Sequence, residues 1–328
     1  MSCAVDACRP TRTVGVRPLL RRAAVVMAAA VALLLLLSAP ALAETAAIAP
    51  LPSMTEGWTR VVTGGFTDPG NSHVTFSTEF RGYYYVSTMA SEAGKLIAGS
   101  DKQGSDIWRT ADGITWEQIG TAGLGDRTNI MFDLVVFRDQ LYALSMNVGG
   151  QGMEVWVTSD GTEFEMLGER GFGDPKNRAA VPMVLDGRLV LAVQNPDTGV
   201  QIWVSEDGSS FRQVQVDGLC VPGNIGVVRT NRPEDPGPLL GGKLYVGVTN
   251  ATTGGEIWRT ADGLGWEQVA DKGLGLAQRH SLHPWLVYKN QLYVVGGHLN
   301  YAAGFDLFRS SDGTDWEQVV EDGFGAGE

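Results

Sequence analysis

Four arginines, Arg127, Arg178, Arg232 and Arg279, fall in one recurring class of loop in a chain that is strongly acidic as a whole. A guanidinium presents a planar fork of donors that matches a carboxylate or a sulfate. Four of them around one opening would make an electropositive mouth for an anionic ligand; each taken singly is an ordinary solvated arginine. A second loop class carries Asn147, Asn195, Asn250 and Asn300, each followed by a Gly-containing stretch. These amides would ring the same opening, although turn-making and strand-capping also account for them. Calcium could sit among such amides and carboxylates, but the acids fall in different repeats and nothing in the spacing brings three together.

The chain has four histidines: His73 near the start of the repeats, and His280, His283 and His298 near their end. If the two ends of the repeat array meet, His73, His280 and His298 are candidate metal ligands at the seam, and His280 also joins the arginines and asparagines as a candidate ligand-binding residue. No nucleophile elbow, phosphate loop, HExxH or paired-cysteine motif occurs. A glycosidase needs two opposed carboxylates, and no pair of acids is singled out.

What must position these residues is a repeat. A nine-residue pattern occurs five times, centred on Asp112, Asp160, Asp207, Asp262 and Asp312. Each Asp is followed by Gly, preceded two residues earlier by Ser or Thr, and flanked four residues away on both sides by an aromatic residue. The aromatic after the Asp recurs at Trp58, Trp116, Phe164, Phe211, Trp266 and Trp316, in steps of 58, 48, 47, 55 and 50 residues. A period of this size marks a repeat architecture. Within a unit the apolar runs are four to six residues long, rich in Val, Ile, Leu, Tyr and Trp, and bounded by Gly, Asp or Asn. They are too short for helices and read as strands.

An Asp-Gly pair between two such runs is a hairpin signal. If the turn is a two-residue one, the flanking aromatics fall on opposite faces of the sheet. Large aromatics on both faces suit a sheet sandwiched between two neighbours. The expected fold is therefore all-β, a β-propeller of five blades of four antiparallel strands, or six if closure is incomplete or the chain is truncated. The five aspartates are expected to be structural turn residues. Insertions are expected at Ser87 to Ser105 and at Asp217 to Gly242.

The N-terminus reads as a secretory signal peptide over residues 1–43. Five arginines precede the apolar run Ala23 to Leu37, and Ala41-Leu42-Ala43 makes a small-residue cleavage site. Residues 44–56 read as a linker and 57–328 as the propeller. Cleavage removes five Arg and Asp6, leaving 25 − 5 = 20 basic and 37 − 1 = 36 acidic residues, a net charge of −16. Such a surface repels nucleic acid and anionic membranes. The mature chain is expected to be extracellular, with no membrane span, no nucleic-acid partner and no cofactor.

The hairpin motif resembles the Asp-box, or BNR repeat, of sialidase-like propellers, with Thr110, Asp112, Gly113 and Trp116 in its places and one residue fewer between Asp and Gly. The last unit is also similar to kelch repeats through Leu292 to Gly297. The resemblance implies a propeller from residue 58 to 328 and says little of activity, because such repeats lie on the scaffold. The Phe/Tyr-Arg-Ile-Pro sequence of the sialidases is absent. The reading that follows is a non-enzymatic propeller binding a glycan, a small anionic ligand or a protein through its loop-rich face. The alternative is a sialidase-like glycoside hydrolase.

Overall fold

The computed structural model describes residues 59–66, 68, 70–90, 104–221, 223–228, 238–275, 279–297, 304–321 and 323. They form five antiparallel sheets that follow one another in chain order, the architecture of a five-bladed β-propeller. Sheet 1 contains β1 (Asn71–Phe80), β2 (Tyr83–Ala90), β3 (Ile107–Thr110) and β4 (Glu117–Ile119). Sheet 2 contains β5 (Asn129–Phe137), β6 (Gln140–Asn147), β7 (Val155–Thr158) and β8 (Glu165–Met166). Sheet 3 contains β9 (Ala179–Leu185), β10 (Arg188–Gln194), β11 (Gln201–Ser205) and β12 (Arg212–Gln213). In sheet 4 the first strand is broken into β13 (Gly226–Val228) and β14 (Leu239–Leu240), which both pair with β15 (Lys243–Thr249), followed by β16 (Glu256–Thr260) and β17 (Glu267–Ala270). Sheet 5 contains β18 (Ser281–Tyr288), β19 (Gln291–Gly297), β20 (Phe305–Ser310) and β21 (Glu317–Val320).

Both expected insertions are described only at their flanks. Ser87 to Ala90 complete β2, and residues 91–103 lie outside the described residues. In the second, β13 ends at Val228 and β14 begins at Leu239, and residues 229–237 lie outside the described residues.

Strand alternation builds the core. In β6, Leu141 and Ala143 enter the cluster between sheets 1 and 2, while Tyr142 and Leu144 enter the one between sheets 2 and 3. In β10, Leu189 and Leu191 face sheet 2, whereas Val190 and Ala192 face sheet 4. Val294 and Phe308 of sheet 5 pack with Tyr245 and Ile257 of sheet 4. Side chains of one strand thus serve successive joints because neighbours point to opposite faces.

The repeated Asp is the acceptor that closes each turn. Asp112 Oδ1 accepts from the N–H of Ile114 (2.8 Å) and Thr115 (2.7 Å). Asp160, Asp207, Asp262 and Asp312 each accept the same two backbone N–H groups in their own turns. The Ser or Thr two residues earlier accepts the glycine N–H, as Thr110 does at 2.9 Å. The glycine after the Asp has positive φ in all five turns, from 74° to 84°, where a side chain is disfavoured.

These turns are longer than two residues, which changes where the aromatics go. Arg109 and Glu117 are the last strand partners in sheet 1, so Trp108 and Trp116 end on the same face instead of opposite faces. Phe66 sits against both, with ring centroids at 5.0 and 5.3 Å. Phe172 does the same to Trp203 and Phe211, at 4.4 and 5.3 Å. Leu124, Leu219 and Leu274 share clusters with the aromatic pairs of sheets 2, 4 and 5. The apolar residue of each linking turn is therefore wedged into the next motif's aromatic pair.

Candidate functional site

The linking turns are held by amides. Asn129 Nδ2 donates to Gly123 O (3.0 Å) and to Glu154 Oε2 (2.6 Å). Asn177 donates to Gly171 O and Gln201 Oε1, and Asn224 to Gly218 O and Glu256 Oε2. The acceptor side chain is fixed from its other side: Trp156 donates to Glu154, Trp203 to Gln201 and Trp258 to Glu256. Burial raises the Glu256 pKa, and its bonds from Asn224 and Trp258 oppose that rise.

This network takes up the asparagines expected at the mouth. Asn147, Asn195 and Asn250 are at most 2% exposed. Their Nδ2 groups donate to Asn129, Asn177 and Asn224 at 2.9, 2.8 and 3.0 Å. Their Oδ1 atoms accept loop N–H groups, such as Gly149 and Thr252 at 3.0 Å. Their amides are thus turned inward, away from any ligand at the opening. Asn300 lies outside the described residues.

The arginines also part company. Arg279 is buried and takes the place that asparagine holds in the other units. Its Nη1 donates to Gly273 O at 3.2 Å, its Nε pairs with Asp306, and its guanidinium lies 5.1 Å from the Phe308 ring. Phe308 stands where three other units have the tryptophan N–H donor, so the arginine supplies the donors that this unit lacks. Arg279 therefore locks a turn instead of facing a mouth. Arg127 is exposed on its loop, away from the cavity described next, and Arg232 lies outside the described residues.

Arg178 remains. It is exposed and lines a cavity of about 350 Å³ bounded by residues of sheets 1 to 4. The cavity is walled by first strands: Phe76 of β1, Met131 and Asp133 of β5, Ala180 of β9 and Val227 of β13, with Gln194 and Thr249 from second strands. Among the described residues no hydrogen bond or ion pair engages the Arg178 guanidinium. Its backbone is fixed: the N–H donates to Gln194 O at 3.1 Å and the carbonyl accepts from Asn147 at 2.8 Å. The site is an apolar pocket with one unengaged cation, one buried carboxylate at Asp133, one amide and one hydroxyl, which suits a small polar ligand. Asp133 escapes sequence reading because inward residues of first strands share no repeated motif. Its signal is a carboxylate inside the apolar run Ile130 to Phe137.

Among the described residues the histidines are not brought together with other ligands into a metal site. His73 is exposed, with Nδ1 2.8 Å from Ser72 Oγ. His280 is half-buried, and burial followed by the charge of His280 lowers the pKa of nearby His283. His298 lies outside the described residues. Among the described residues no three His, Cys, Asp or Glu side chains converge on a metal position. No helix among them is long and apolar enough to cross a membrane.

No family model and no curated protein matches the chain. Among solved structures it is similar to the Trypanosoma rangeli sialidase in complex with sialic acid, at 13% identity and a TM-score of 0.45 over 77% of this chain and 48% of that one. It is similar to an alpha-L-arabinofuranosidase from Clostridium thermocellum, at 14% identity and a TM-score of 0.42 over 76% and 93%. It is also similar to Zg3597, a family 117 glycoside hydrolase of Zobellia galactanivorans, at 13% identity and a TM-score of 0.38 over 65% and 74%.

Proposed function

We propose that this chain is a secreted, sialidase-like propeller of the Asp-box type that binds a glycan or another small anionic ligand in its central cavity without turning it over. The observation that carries the reading is the unengaged Arg178 guanidinium on the cavity wall. The strongly acidic chain gives an anion no general attraction, so a local cation must select it. A bidentate contact to a carboxylate or sulfate would do so, with Gln194 and Thr249 as further polar contacts and Met131, Met146 and Val227 against the apolar face of a sugar.

A second reading is a glycoside hydrolase, and Asp133 favours it because a buried carboxylate shares the cavity with Arg178. Catalysis needs a second carboxyl group, about 5 Å away for retention or about 6.5–9.5 Å for inversion. Asp133 is the only carboxylate among the described residues that line the cavity. The two readings separate on one protein, screened on an array of acidic glycans and on chromogenic glycosides. Binding without turnover is expected, with affinity falling about 10- to 100-fold in Arg178→Ala, the range of one charge-assisted contact. Turnover that disappears in Asp133→Asn would establish the hydrolase. Binding unchanged in Arg178→Ala would remove the proposed site.

A further inference from the structure

The polar side chains of the cavity gather at one end of it. Arg178 immediately precedes β9. Gln194, the last residue of β10, pairs with Ala179, and its carbonyl accepts the Arg178 N–H at 3.1 Å. Thr249, the last residue of β15, pairs with Gly226, the first of β13. The sheets repeat one strand order, so the beginnings of β9 and β13 lie at the same end of the propeller. Arg178 is exposed at that mouth, and Gln194 and Thr249 are half-buried beside it. A guanidinium, an amide and a hydroxyl together supply the donors that one carboxylate head group accepts.

Further along the first strands the wall offers carbon and sulfur. Val181 and Val228 are the third residues of β9 and β13, and both line the cavity with Val227. Val181 and Val227 belong to one core cluster, so this part of the wall is backed by packed side chains. Met131 and Met146 stand directly opposite each other on β5 and β6 and line the cavity as a pair. Cross-strand partners set their side chains next to each other. Their rotatable thioether chains adapt to bodies of different shape. Most of the described residues that line the cavity are apolar. A molecule that fills it therefore exchanges water for carbon over most of its length. Asp133, on the same wall, is 4% exposed and engaged within the chain. Its negative charge repels a carboxylate, which keeps an acidic head group at the Arg178 end.

We infer that the anion held by Arg178 has a hydrocarbon body: the ligand is a small amphipathic monocarboxylate, of the class of the medium-chain fatty acids. This inference rests on the reading of Arg178 as the anion site and narrows what that site takes. The carboxylate accepts from the guanidinium at the mouth, with Gln194 and Thr249 beside it, and the tail runs between the methionine pair and the valines. A cavity of about 350 Å³ holds one such molecule. A sugar acid offers the same head group but carries hydroxyls along its body. Each hydroxyl set against valine or methionine gives up its bonds to water without a partner in return. The carboxylate alone does not distinguish the two ligands; the wall behind it does.

The test is calorimetric titration of the purified protein with butanoate, hexanoate, octanoate and glucuronate. Affinity should rise about 3- to 4-fold with each methylene from butanoate to octanoate, the increment for burying one such group. The heat-capacity change of binding should become more negative along the same series. Glucuronate, with as many carbons as hexanoate, should bind at least 10-fold more weakly than hexanoate. Arg178→Ala should weaken octanoate about 10-fold or more. Met131→Gln with Met146→Gln should flatten the dependence on chain length while leaving butanoate little changed. Glucuronate binding as tightly as hexanoate, or an affinity that does not change with chain length, would overturn the hydrocarbon body while leaving the anion site in place. Octanoate binding that survives both Arg178→Ala and the methionine pair would put the acid elsewhere and overturn the inference. No binding of any of the four carboxylates would remove the anion site and the inference with it.

Discussion

The repeated aspartate acts through its charge. Asp112 has a pKa of about 2 against an ordinary 3.8, because the N–H of Thr115 and then that of Ile114 donate to the ionised carboxylate. Asp312 is also held at about 2, against an opposing effect of burial. The Asp160, Asp207 and Asp262 carboxyls are lowered by their own turn N–H groups. A carboxyl whose folded pKa is depressed stabilises the fold fully above its unfolded pKa and loses that contribution as pH falls through the folded one. The melting temperature should therefore drop between about pH 4 and pH 2, and Asp112→Asn should flatten that drop. A melting profile of the variant with the same slope as the parent would show that the charge is not what these turns use.

Arg279 makes the same point from a residue that breaks the pattern. By loop class it goes with Arg127, Arg178 and Arg232, but its register differs: Arg279 stands six residues after Gly273, the place of Asn177 after Gly171, whereas Arg178 stands one residue later. What distinguishes Arg279 is the company it keeps: Phe308 where a tryptophan donor stands elsewhere, and Asp306 behind it. Arg279→Ala should cost about 3–5 kcal/mol in urea unfolding, since it removes the cation paired with the buried Asp306 carboxylate. Arg279→Asn with Phe308→Trp restores the donor set of the other units and should cost less than Arg279→Ala alone.

At the scale of the element, the short apolar runs, the Asp-Gly turns and the five-fold period were all legible in sequence, because strand alternation and turn chemistry are local. The wedge between elements was not. Phe66, Leu124, Phe172, Leu219 and Leu274 sit in linking turns at positive φ, a conformation that no rule of apolar periodicity anticipates for Phe or Leu. The clue in the sequence is the tripeptide Gly171-Phe172-Gly173 and its Gly-Leu-Gly counterparts, whose glycines mark a turn without showing what the central residue packs against. Phe172→Ala should lower stability by about 3 kcal/mol, as removal of a packed aromatic does. Phe172→Leu, which imports the residue of three sister turns, should cost about 1 kcal/mol or less. Equal losses in chemical denaturation would mean that Trp203 and Phe211 do not need the wedge.

Across the whole molecule, the sequence reading of an acidic all-β repeat protein leads to a propeller, but a ring of ligand-facing amides does not follow. Asn147, Asn195 and Asn250 recur because every unit must bury the same turn, so symmetry there reports folding. The proposed ligand contact rests instead on a residue that the repeat leaves unequal: among the described residues Arg178 is the cation on the cavity wall that no side-chain hydrogen bond or ion pair engages. The most direct measurement is a crystal structure of the protein grown with the tightest acidic glycan found by array. The ligand's acidic group should lie within hydrogen-bonding distance of the Arg178 guanidinium, inside the cavity walled by β1, β5, β9 and β13. A ligand seated on the outer turns, with Arg178 still unengaged, would contradict the account.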